Sequence, residues 1–435
     1  MVATIIISII TFILITLSIL LFPTIKIGKI RLGTYWIIAF ISAISLLISS
    51  LSPIEQVFDQ LTSNNSVNPL KIIVLFFSMT LLSIFLDEVG LFKYLAHLAS
   101  KRAKNNQFVL FVIFYCLTSA LTIFTSNDIV ILTFTPFICF FCKNSKINPI
   151  PYLVAEFTAA NTWSMMLIIG NPTNIYLATS TGLNFFDYLK VMALPTLAAG
   201  ISEFLLLFTL FNKKLKEPIQ VTNEDVKISN KPMLIIGIIH LVICLIFLVI
   251  SSYIGVEMWI VAASAALSLL ICSIITSLST KKDWVLLGSS LKKLPYQLIP
   301  FFLSMFVIVV ALNEQGIATK IASFLGNENV IWTYGYSSFL ASNLINNIPM
   351  SILYSSLISN VPSGLVLPAT FASIVGSNIG AFLMPTGALA GIMFTNLVNE
   401  HNTKYTFLDF IKYGSIISIP VITIALAVLS VTVSF

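Results

Sequence analysis

The sequence has 435 residues, of which 57% are hydrophobic and only 9% are charged, and it carries a formal net charge of +6. Its mean hydropathy is +1.00, whereas soluble domains contain about 25% charged residues. The composition therefore excludes a soluble globular domain and predicts an all-α polytopic membrane protein. The positive charge lies in short loops, which indicates orientation in the lipid bilayer rather than a nucleic-acid partner.

The chain begins with two apolar runs, residues 1–22 and 35–51, and each is predicted to be a retained membrane-spanning helix. The loop that follows, residues 53–69, contains Glu55 and Asp59 and no basic residue. Other loops are rich in basic residues: Lys26, Lys29 and Arg31; Lys93, Lys101, Arg102 and Lys104; Lys143 and Lys146; Lys213, Lys214 and Lys216; Lys281, Lys282, Lys292 and Lys293. The positive-inside rule places the acidic loop outside and the basic loops in the cytoplasm.

Two segments with polar centres are predicted to be re-entrant helical hairpins. Residues 107–142 have basic residues at both ends and Ser126-Asn127-Asp128 at the centre, so this hairpin enters from the cytoplasm. Residues 331–360, centred on Asn346-Asn347, would enter from the outside. Residues 150–181, with "GNPTN", and 366–395, with "MPTGALAG", are predicted to be broken helices. Proline removes a backbone donor and glycine permits positive φ.

The sequence also repeats internally. Three matches lie at offsets of 226, 219 and 217 residues, and they pair Phe76 with Phe302, Asn127 with Asn346, and Gly170 with Gly387. They predict membrane repeats at residues 1–212 and 233–435, joined by a cytoplasmic linker at 213–232. An odd number of crossings per half, five, inverts the second repeat. The predicted architecture is an inverted-topology repeat of about ten transmembrane helices, two re-entrant hairpins and two broken helices.

Broken backbone at membrane depth is tolerated only where protein or a water-filled cavity satisfies its polar groups. We therefore expect the hairpin tips and the breaks to meet at a site for a small inorganic or organic anion and its coupling ion. The predicted site residues are Ser126, Asn127, Asp128, Asn161, Gly170, Asn171, Thr173, Asn174, Asn346, Asn347, Asn378, Thr386 and Gly387. Na⁺ is a candidate at Asn127, Asn174 and Asn346. The alternative is that these side chains only bond neighbouring helices.

Asp128 is the foremost acidic candidate, because an unpaired carboxylate at membrane depth is costly, and its predicted role is proton or cation coupling. Its predicted repeat position is Asn347, so only the first half carries the charge. Glu156 and Glu203 are weaker candidates for the same kind of role. The remaining acids of interest precede glycines at predicted helix ends, before amphipathic segments: Asp87, Glu88 and Glu314.

The five cysteines all lie in apolar segments, where a thiol behaves as a small hydrophobe. Cys139 and Cys142 form a Cys-x-x-Cys pair, but no second pair or histidine lies near them in the sequence. No Gly-rich phosphate loop and no nucleophile-base set appears in the sequence. We expect neither an enzyme nor a bound cofactor, and the small ion required is a coupling H⁺ or Na⁺.

The order of the motifs resembles the ion transporter superfamily, and within it the arsenite permease and NhaD-type antiporter branch. The resemblance rests on "LDEVGLFKYLA", "SNDIVILTFTPF", "GNPTNIYLA", "NNIPMSILY" and "GSNIGAFLMPTGALAGIMF", spread over residues 86–394. Phe382 stands where the arsenite permeases have a proline, and Thr386-Gly387-Ala388 replaces their usual Ile-Gly-Ser. The "GNPTN" break is closer to anion permeases and sodium/proton antiporters of the superfamily.

The resemblance implies a multi-pass secondary active transporter of the inner membrane in which the hairpins and broken helices move against a scaffold in an elevator-like motion. It favours efflux of arsenite, or of another small oxyanion or its neutral acid, coupled to protons. The alternatives are sodium-coupled transport of a dicarboxylate, citrate or sulfate, and Na⁺/H⁺ antiport through Asp128. The lack of intramembrane arginine disfavours highly charged substrates. The resemblance further implies a homodimer and, as in arsenical pumps, an ATPase partner.

Overall fold

A computed structural model describes residues 2–22, 24–27, 30–64, 68–103, 106–217, 219, 228, 230–251, 253–280, 284–401 and 403–433. The first half consists of α1 (Val2–Leu21), β1 (Thr24–Ile27), β2 (Ile30–Gly33), α2 (Thr34–Ile48), α3 (Ile54–Thr62), α4 (Pro69–Glu88), α5 (Leu91–Ala103), α6 (Gln107–Phe124), α7 (Asn127–Asn144), α8 (Ile150–Trp163), α9 (Pro172–Ser180) and α10 (Phe185–Phe211). The second half consists of α11 (Lys231–Ile250), α12 (Met258–Thr280), α13 (Trp284–Lys292), α14 (Leu298–Glu314), α15 (Ile317–Leu325), α16 (Val330–Ile345), α17 (Asn347–Ile358), α18 (Ser363–Gly380), α19 (Leu389–Glu400) and α20 (Phe407–Thr432).

The order of helices in the first half recurs in the second. Each half has two apolar helices, a short helix, a long helix, a second short helix, a hairpin pair, a helix and 3₁₀ turn, a further helix and a final long helix. The 3₁₀ turns occupy Ile168–Gly170 and Pro385–Gly387. The antiparallel β-hairpin of β1 and β2 has no counterpart among the described residues of the second half. This order supports the predicted repeat, while its inversion across the membrane stays a prediction.

A glycine with positive φ ends the long helix before each amphipathic segment. Gly90 (φ 93°) follows α4 closely, and Gly316 (φ 64°) separates α14 from α15. Glycine adopts this left-handed conformation without a steric penalty. The chain bends by 79° between α14 and α15. The helix ends predicted at Glu88 and Glu314 are confirmed.

Among the described residues, seven helices are long and apolar enough to cross a membrane, or eight if α14 and α15 together form one span. Our ten predicted crossings also include the first broken helix, whose halves α8 and α9 are short, and the apolar stretches Val2–Ser18 and Thr34–Ile48. The second broken helix is already represented among the seven by α18. One of the seven is α6, which we predicted as an arm of a re-entrant hairpin. Length alone does not separate such an arm from a crossing helix, so the re-entrant assignment stays a prediction.

The two hairpins have the predicted positions, with their turns at Thr125-Ser126 and at Asn346. The first hairpin ends at Asn144, two residues beyond the predicted bound, and the second ends at Ile358. Part of the predicted linker 213–232 lies outside the described residues, and so do four residues of the predicted cytoplasmic loops: Lys29, Lys104, Lys281 and Lys282.

The halves interlock through crosswise helix pairs. α2 packs against α14, and α4 packs against α12. In the same way α7 of the first hairpin packs against α19, and α17 of the second hairpin packs against α9. Each hairpin therefore lies against the broken helix of the other half. This arrangement agrees with the expectation that the polar interruptions meet protein rather than lipid.

Candidate functional site

The first break has a tight backbone path. α8 ends at Trp163, and the chain turns back so closely that a Cβ on Gly170 would lie 2.3 Å from the carbonyl oxygen of Ser164. Asn171 is extended (φ −150°, ψ 140°), and its Oδ1 accepts from the backbone N–H of Thr173 at 3.1 Å. Pro172 then begins α9 at a position where its missing N–H costs nothing. The "GNPTN" sequence thus ends the 3₁₀ turn at Gly170 and caps α9 through Asn171.

The second break repeats this path. Met384 (φ −134°, ψ 150°) and Ala388 (φ −149°, ψ 157°) flank its 3₁₀ turn, as Leu167 (φ −119°, ψ 149°) and Asn171 flank the first. Gly387 ends the second turn as Gly170 ends the first, which agrees with the predicted pairing of these glycines. The capping asparagine of the first break is replaced by Ala388, so the second break carries fewer polar side chains.

Asn378 of α18 is the centre of a buried amide cluster. Its Oδ1 accepts from Asn171 Nδ2 at 2.9 Å, and Ser164 Oγ lies 2.9 Å from the same oxygen. Its Nδ2 donates to Asn174 Oδ1 at 2.6 Å and to the carbonyl oxygen of Ile374 at 2.8 Å. Thr173 joins the cluster through Ser377, whose hydroxyl lies 3.2 Å away. The side chain of Asn378 therefore links the second repeat to the break of the first.

The first hairpin tip contacts the same region through one bond. Asn127 Nδ2 donates to Asn161 Oδ1 at 3.1 Å, and Asn161 Nδ2 donates to the carbonyl oxygen of Phe157 at 2.8 Å. The second of these bonds reproduces the contact of Asn378 with Ile374, which supports the predicted pairing of Asn161 with Asn378. Asn127 is only 1% exposed, and its Oδ1 has no hydrogen-bond partner among the described residues.

The second hairpin tip is bonded within its own half. Asn346 (φ 70°) donates from Nδ2 to the carbonyl oxygen of Thr386 at 3.0 Å, and its Oδ1 accepts from the N–H of Ile348 at 3.3 Å. Asn347 is 4% exposed, and its Oδ1 has no partner in the described part of the chain. No hydrogen bond between described residues joins this tip to the Asn378 cluster.

The helix starts correct one predicted pairing. α7 begins at Asn127 and α17 begins at Asn347, so Asn127 corresponds to Asn347 and Asp128 corresponds to Ile348. Our sequence match, which paired Asn127 with Asn346, is displaced by one residue because it aligned the polar dipeptides rather than the helix caps. The corrected pairing brings the two unpartnered asparagine oxygens into equivalent positions. Of the three predicted Na⁺ ligands, only Asn127 has a free side-chain oxygen, since those of Asn174 and Asn346 already accept bonds.

Asp128 lies apart from the amide cluster. It is partly buried on the wall of a cavity of about 210 Å³ between the first hairpin, α2, α4 and α19. The polar side chains on this wall are Thr24, Tyr35, Thr80, Ser126, Asp128, Lys293, Gln297 and Asn396. No hydrogen bond or ion pair holds the Asp128 carboxylate within the part of the chain that the structure describes. The predicted site is therefore divided between amide clusters and an adjoining cavity.

Ion pairs mark the two ends of α4. Near its last residue, Lys293 pairs with Glu88 and lies 3.8 Å from Asp87, and Lys293 also reaches the cavity of Asp128. Near its first residue, Lys71 pairs with Glu257 at 2.7 Å. A second cavity of about 180 Å³ adjoins Lys71, but none of the hairpin-tip residues lines it. Of these two cavities, only the one near the last residue of α4 reaches a hairpin tip.

Sequence reasoning missed several residues of the site, and two of them hold the breaks in place. Ser164 lies 2.7 Å from the carbonyl oxygen of Asn161 and so connects the two asparagines of the first and second repeats. Asn343 accepts from the N–H of Met384 at 3.1 Å and holds the second break against α16. Asn343 lies one helical turn before the Asn346-Asn347 pair, and this spacing on a helix could have indicated it.

A family model described as "Citrate transporter" matches residues 1–376 of the chain. The chain belongs to the citrate transporter family. It is thus a multi-pass transporter of the inner membrane, and the expected relation to the ion transporter superfamily is confirmed.

Curated relatives of this transporter carry arsenical names. It is 24% identical over 379 residues to the arsenical pump membrane protein of Escherichia coli (strain K12), covering 83% of this chain and 86% of the relative. It is 25% identical over 378 residues to the arsenical pump membrane protein of Yersinia enterocolitica, covering 82% and 86%. The putative arsenical pump membrane protein of Bacillus subtilis (strain 168) is 23% identical over 373 residues, covering 78% and 82%.

The fold is also that of a solved transporter. The crystal structure of the Alcanivorax borkumensis YdaH transporter, described as having an unusual topology, matches with a TM-score of 0.56. The match covers 99% of this chain and 98% of that chain at 13% sequence identity. At this identity the likeness concerns the fold alone.

Proposed function

We propose that this protein is a secondary active transporter that moves arsenite, or another small oxyanion as its neutral acid, out of the cell in exchange for protons. The observation that carries the proposal is the Asp128 carboxylate, which faces a cavity beside the first hairpin tip without a bonded partner. A carboxylate at this depth is costly unless it binds a proton or a cation. Asp128 is therefore the group assigned to proton coupling.

The charges of the cavity favour a small and weakly charged solute. The cavity offers one carboxylate near the hairpin tip and one ammonium, Lys293, which is already engaged by Glu88. A multiply charged anion beside Asp128 would be repelled, whereas a neutral acid would not. Hydroxyl and amide groups of Ser126, Gln297 and Asn396 supply hydrogen bonds to its oxygens.

The position of the cavity indicates from which side of the membrane the site is reached in this structure. Lys293 belongs to a basic loop, so the positive-inside rule places this end of α4 in the cytoplasm. The cavity near Lys71, at the opposite end of α4, stops short of the second hairpin tip. We assign the structure to a state in which the site is accessible from the cytoplasm, as required for loading an exported solute.

Sodium-coupled transport of citrate or another carboxylate is the second candidate. It is favoured by the unpartnered Oδ1 atoms of Asn127 and Asn347, because neutral oxygens of this kind suit a hard cation. The family description points to the same class of substrate. A homodimer and an ATPase partner are further proposals that rest on the resemblance to arsenical pumps.

The test is transport by the purified protein in liposomes. Arsenite, citrate and sulfate are offered separately under a proton gradient or a sodium gradient. We expect arsenite flux driven by the proton gradient, lost in Asp128→Asn and kept in the matched control Asp187→Asn, an acid that is 52% exposed at the start of α10. Wild-type flux in Asp128→Asn would refute the coupling role. Citrate or sulfate flux under the sodium gradient alone would favour the second candidate.

A further inference from the structure

A second buried carboxyl group lies outside the cavity of Asp128. Glu203 of α10 is 0% exposed, and its Oε1 accepts from the hydroxyl of Thr158 on α8 at 2.8 Å. Its Oε2 has no hydrogen-bond partner among the described residues, and no ion pair in that part of the chain includes it. This carboxyl group thus has one hydrogen-bonded hydroxyl, that of Thr158, two further hydroxyl neighbours in Thr162 and Tyr115, and no counter-charge.

The depth of Glu203 follows from two helices. Glu203 lies eight residues before the end of α10, and Thr158 lies eight residues after the start of α8. At 1.5 Å per residue, each lies about 12 Å from the predicted cytoplasmic end of its helix. A hydrocarbon core is about 30 Å thick, so the carboxyl group lies well inside it. An ionised carboxylate there would lack both water and a cation.

The surrounding titratable groups do not supply a charge. The Tyr115 hydroxyl of α6 donates to the carbonyl oxygen of Gly200 at 2.6 Å and accepts from Trp163 Nε1 at 3.1 Å. Titratable side chains on other helices packed against α10 have partners other than Glu203: Tyr152 with Gln107, Glu156 with Thr135, His240 with Ser268, Cys244 with Met79, Asp409 with Thr406, and Lys412 with the ring of Tyr413. Glu203 therefore faces hydroxyl groups and apolar side chains.

The second repeat indicates that the fold does not require this acid. Asn184 caps the N–H of Asp187 at the start of α10, and Thr406 caps the N–H of Asp409 at the start of α20. Counting from these caps, the position of Glu203 corresponds to Ala425, which is also 0% exposed. The equivalent helix packs with a methyl group at this position, so the carboxyl group is an addition specific to the first repeat.

We propose that Glu203 is a proton-binding site of the transporter, separate from Asp128, and that its carboxyl group is protonated in this state. The neutral group keeps the Thr158 bond and needs no counter-charge. Binding takes one proton from water to Oε2 and release returns it, leaving the carboxylate, with no electron transfer. Thr158 and Asn161 lie three residues apart on one face of α8. A change of charge on Glu203 therefore acts on the helix that holds Asn127 of the hairpin tip.

The first test needs no substrate. Infrared spectra of the full-length protein in liposomes at neutral pH are compared for the wild type, Glu203→Gln and the matched control Glu156→Gln, a buried acid on α8. We expect Glu203→Gln to remove a carbonyl stretch of a protonated carboxyl group, and Glu203→Asp to retain a shifted one. The spectrum of Glu156→Gln shows which signal belongs to Glu156. Removal of carboxylate stretches by Glu203→Gln would overturn the proposal.

The second test concerns coupling and rests on the proposed function. Arsenite is the probe, in liposomes that report internal pH. We expect Glu203→Gln to retain arsenite exchange without a gradient but to lose accumulation driven by a pH gradient. An unchanged response to the pH gradient would overturn the coupling role of Glu203. If the wild type moves no arsenite, the proposed substrate fails, and the infrared result alone decides the proton-binding site.

Discussion

Asn378→Ala is expected to weaken the junction between the two repeats. The amide of Asn378 is 0% exposed and bonds three side chains of the first break. Ser164 keeps an alternative acceptor in the carbonyl oxygen of Asn161 at 2.7 Å. Asn171 Nδ2 and Asn174 Oδ1 have no other hydrogen bond among the described residues. The substitution therefore leaves two buried polar groups without partners.

The size of the effect follows from these two bonds. Side-chain hydrogen bonds between helices in a membrane protein contribute on average about 0.6 kcal/mol, and at most about 1.7 kcal/mol. Loss of two such bonds predicts a decrease of about 1 to 3 kcal/mol in the free energy of unfolding. Asn161→Ala is the matched control, because Asn161 is equally buried and bonds its own helix in the same way, but it makes a single side-chain contact to another helix.

The free energies of unfolding of both variants are measured by circular dichroism, as the purified proteins are unfolded with increasing concentrations of a denaturing detergent. We expect Asn378→Ala to lower the free energy of unfolding by roughly twice as much as Asn161→Ala, because it leaves two buried groups of other helices without a partner rather than one. An equal or larger loss in Asn161→Ala would refute the assignment of Asn378 as the centre of the cluster. An unchanged stability of Asn378→Ala would refute the hydrogen bonds themselves.

Three further predictions concern backbone, charge and orientation. Gly170→Ala should destabilise the protein strongly, because its Cβ would lie 2.3 Å from a backbone oxygen, whereas Gly288→Ala, with nothing within 4 Å, should be neutral or slightly stabilising in thermal unfolding. Lys71→Ala should cost about 1 kcal/mol or less, since Glu257 is 46% exposed, and added salt should reduce the difference from the wild type. Cysteines placed at Glu257 and Lys404 should react with an impermeant thiol reagent from the outside and from the cytoplasm, respectively, in right-side-out and inverted vesicles. Reaction of both from one side would contradict the inverted repeat.

The sequence by itself determined the class of the protein and the positions of its interruptions. A helix that crosses the hydrocarbon core of the bilayer must be apolar over its length, and each segment of the sequence shows this property by itself. The "GNPTN" and "MPTGALAG" motifs likewise mark the two breaks through proline and glycine geometry, which depends on few neighbours. The helices before them end slightly earlier, at Trp163 and Gly380. The helix ends at Glu88 and Glu314 were predictable for the same reason.

Only the tertiary structure decided which polar groups bond one another. Asn127 and Asp128 are adjacent in sequence, but successive side chains on a helix point about 100° apart. One therefore bonds Asn161, while the other faces the cavity. Asn378 meets partners more than 200 residues away in the chain, and Glu203 acquires its significance from the absence of a cation around it in the described structure. Such contacts arise from packing between distant helices, which no local sequence pattern records.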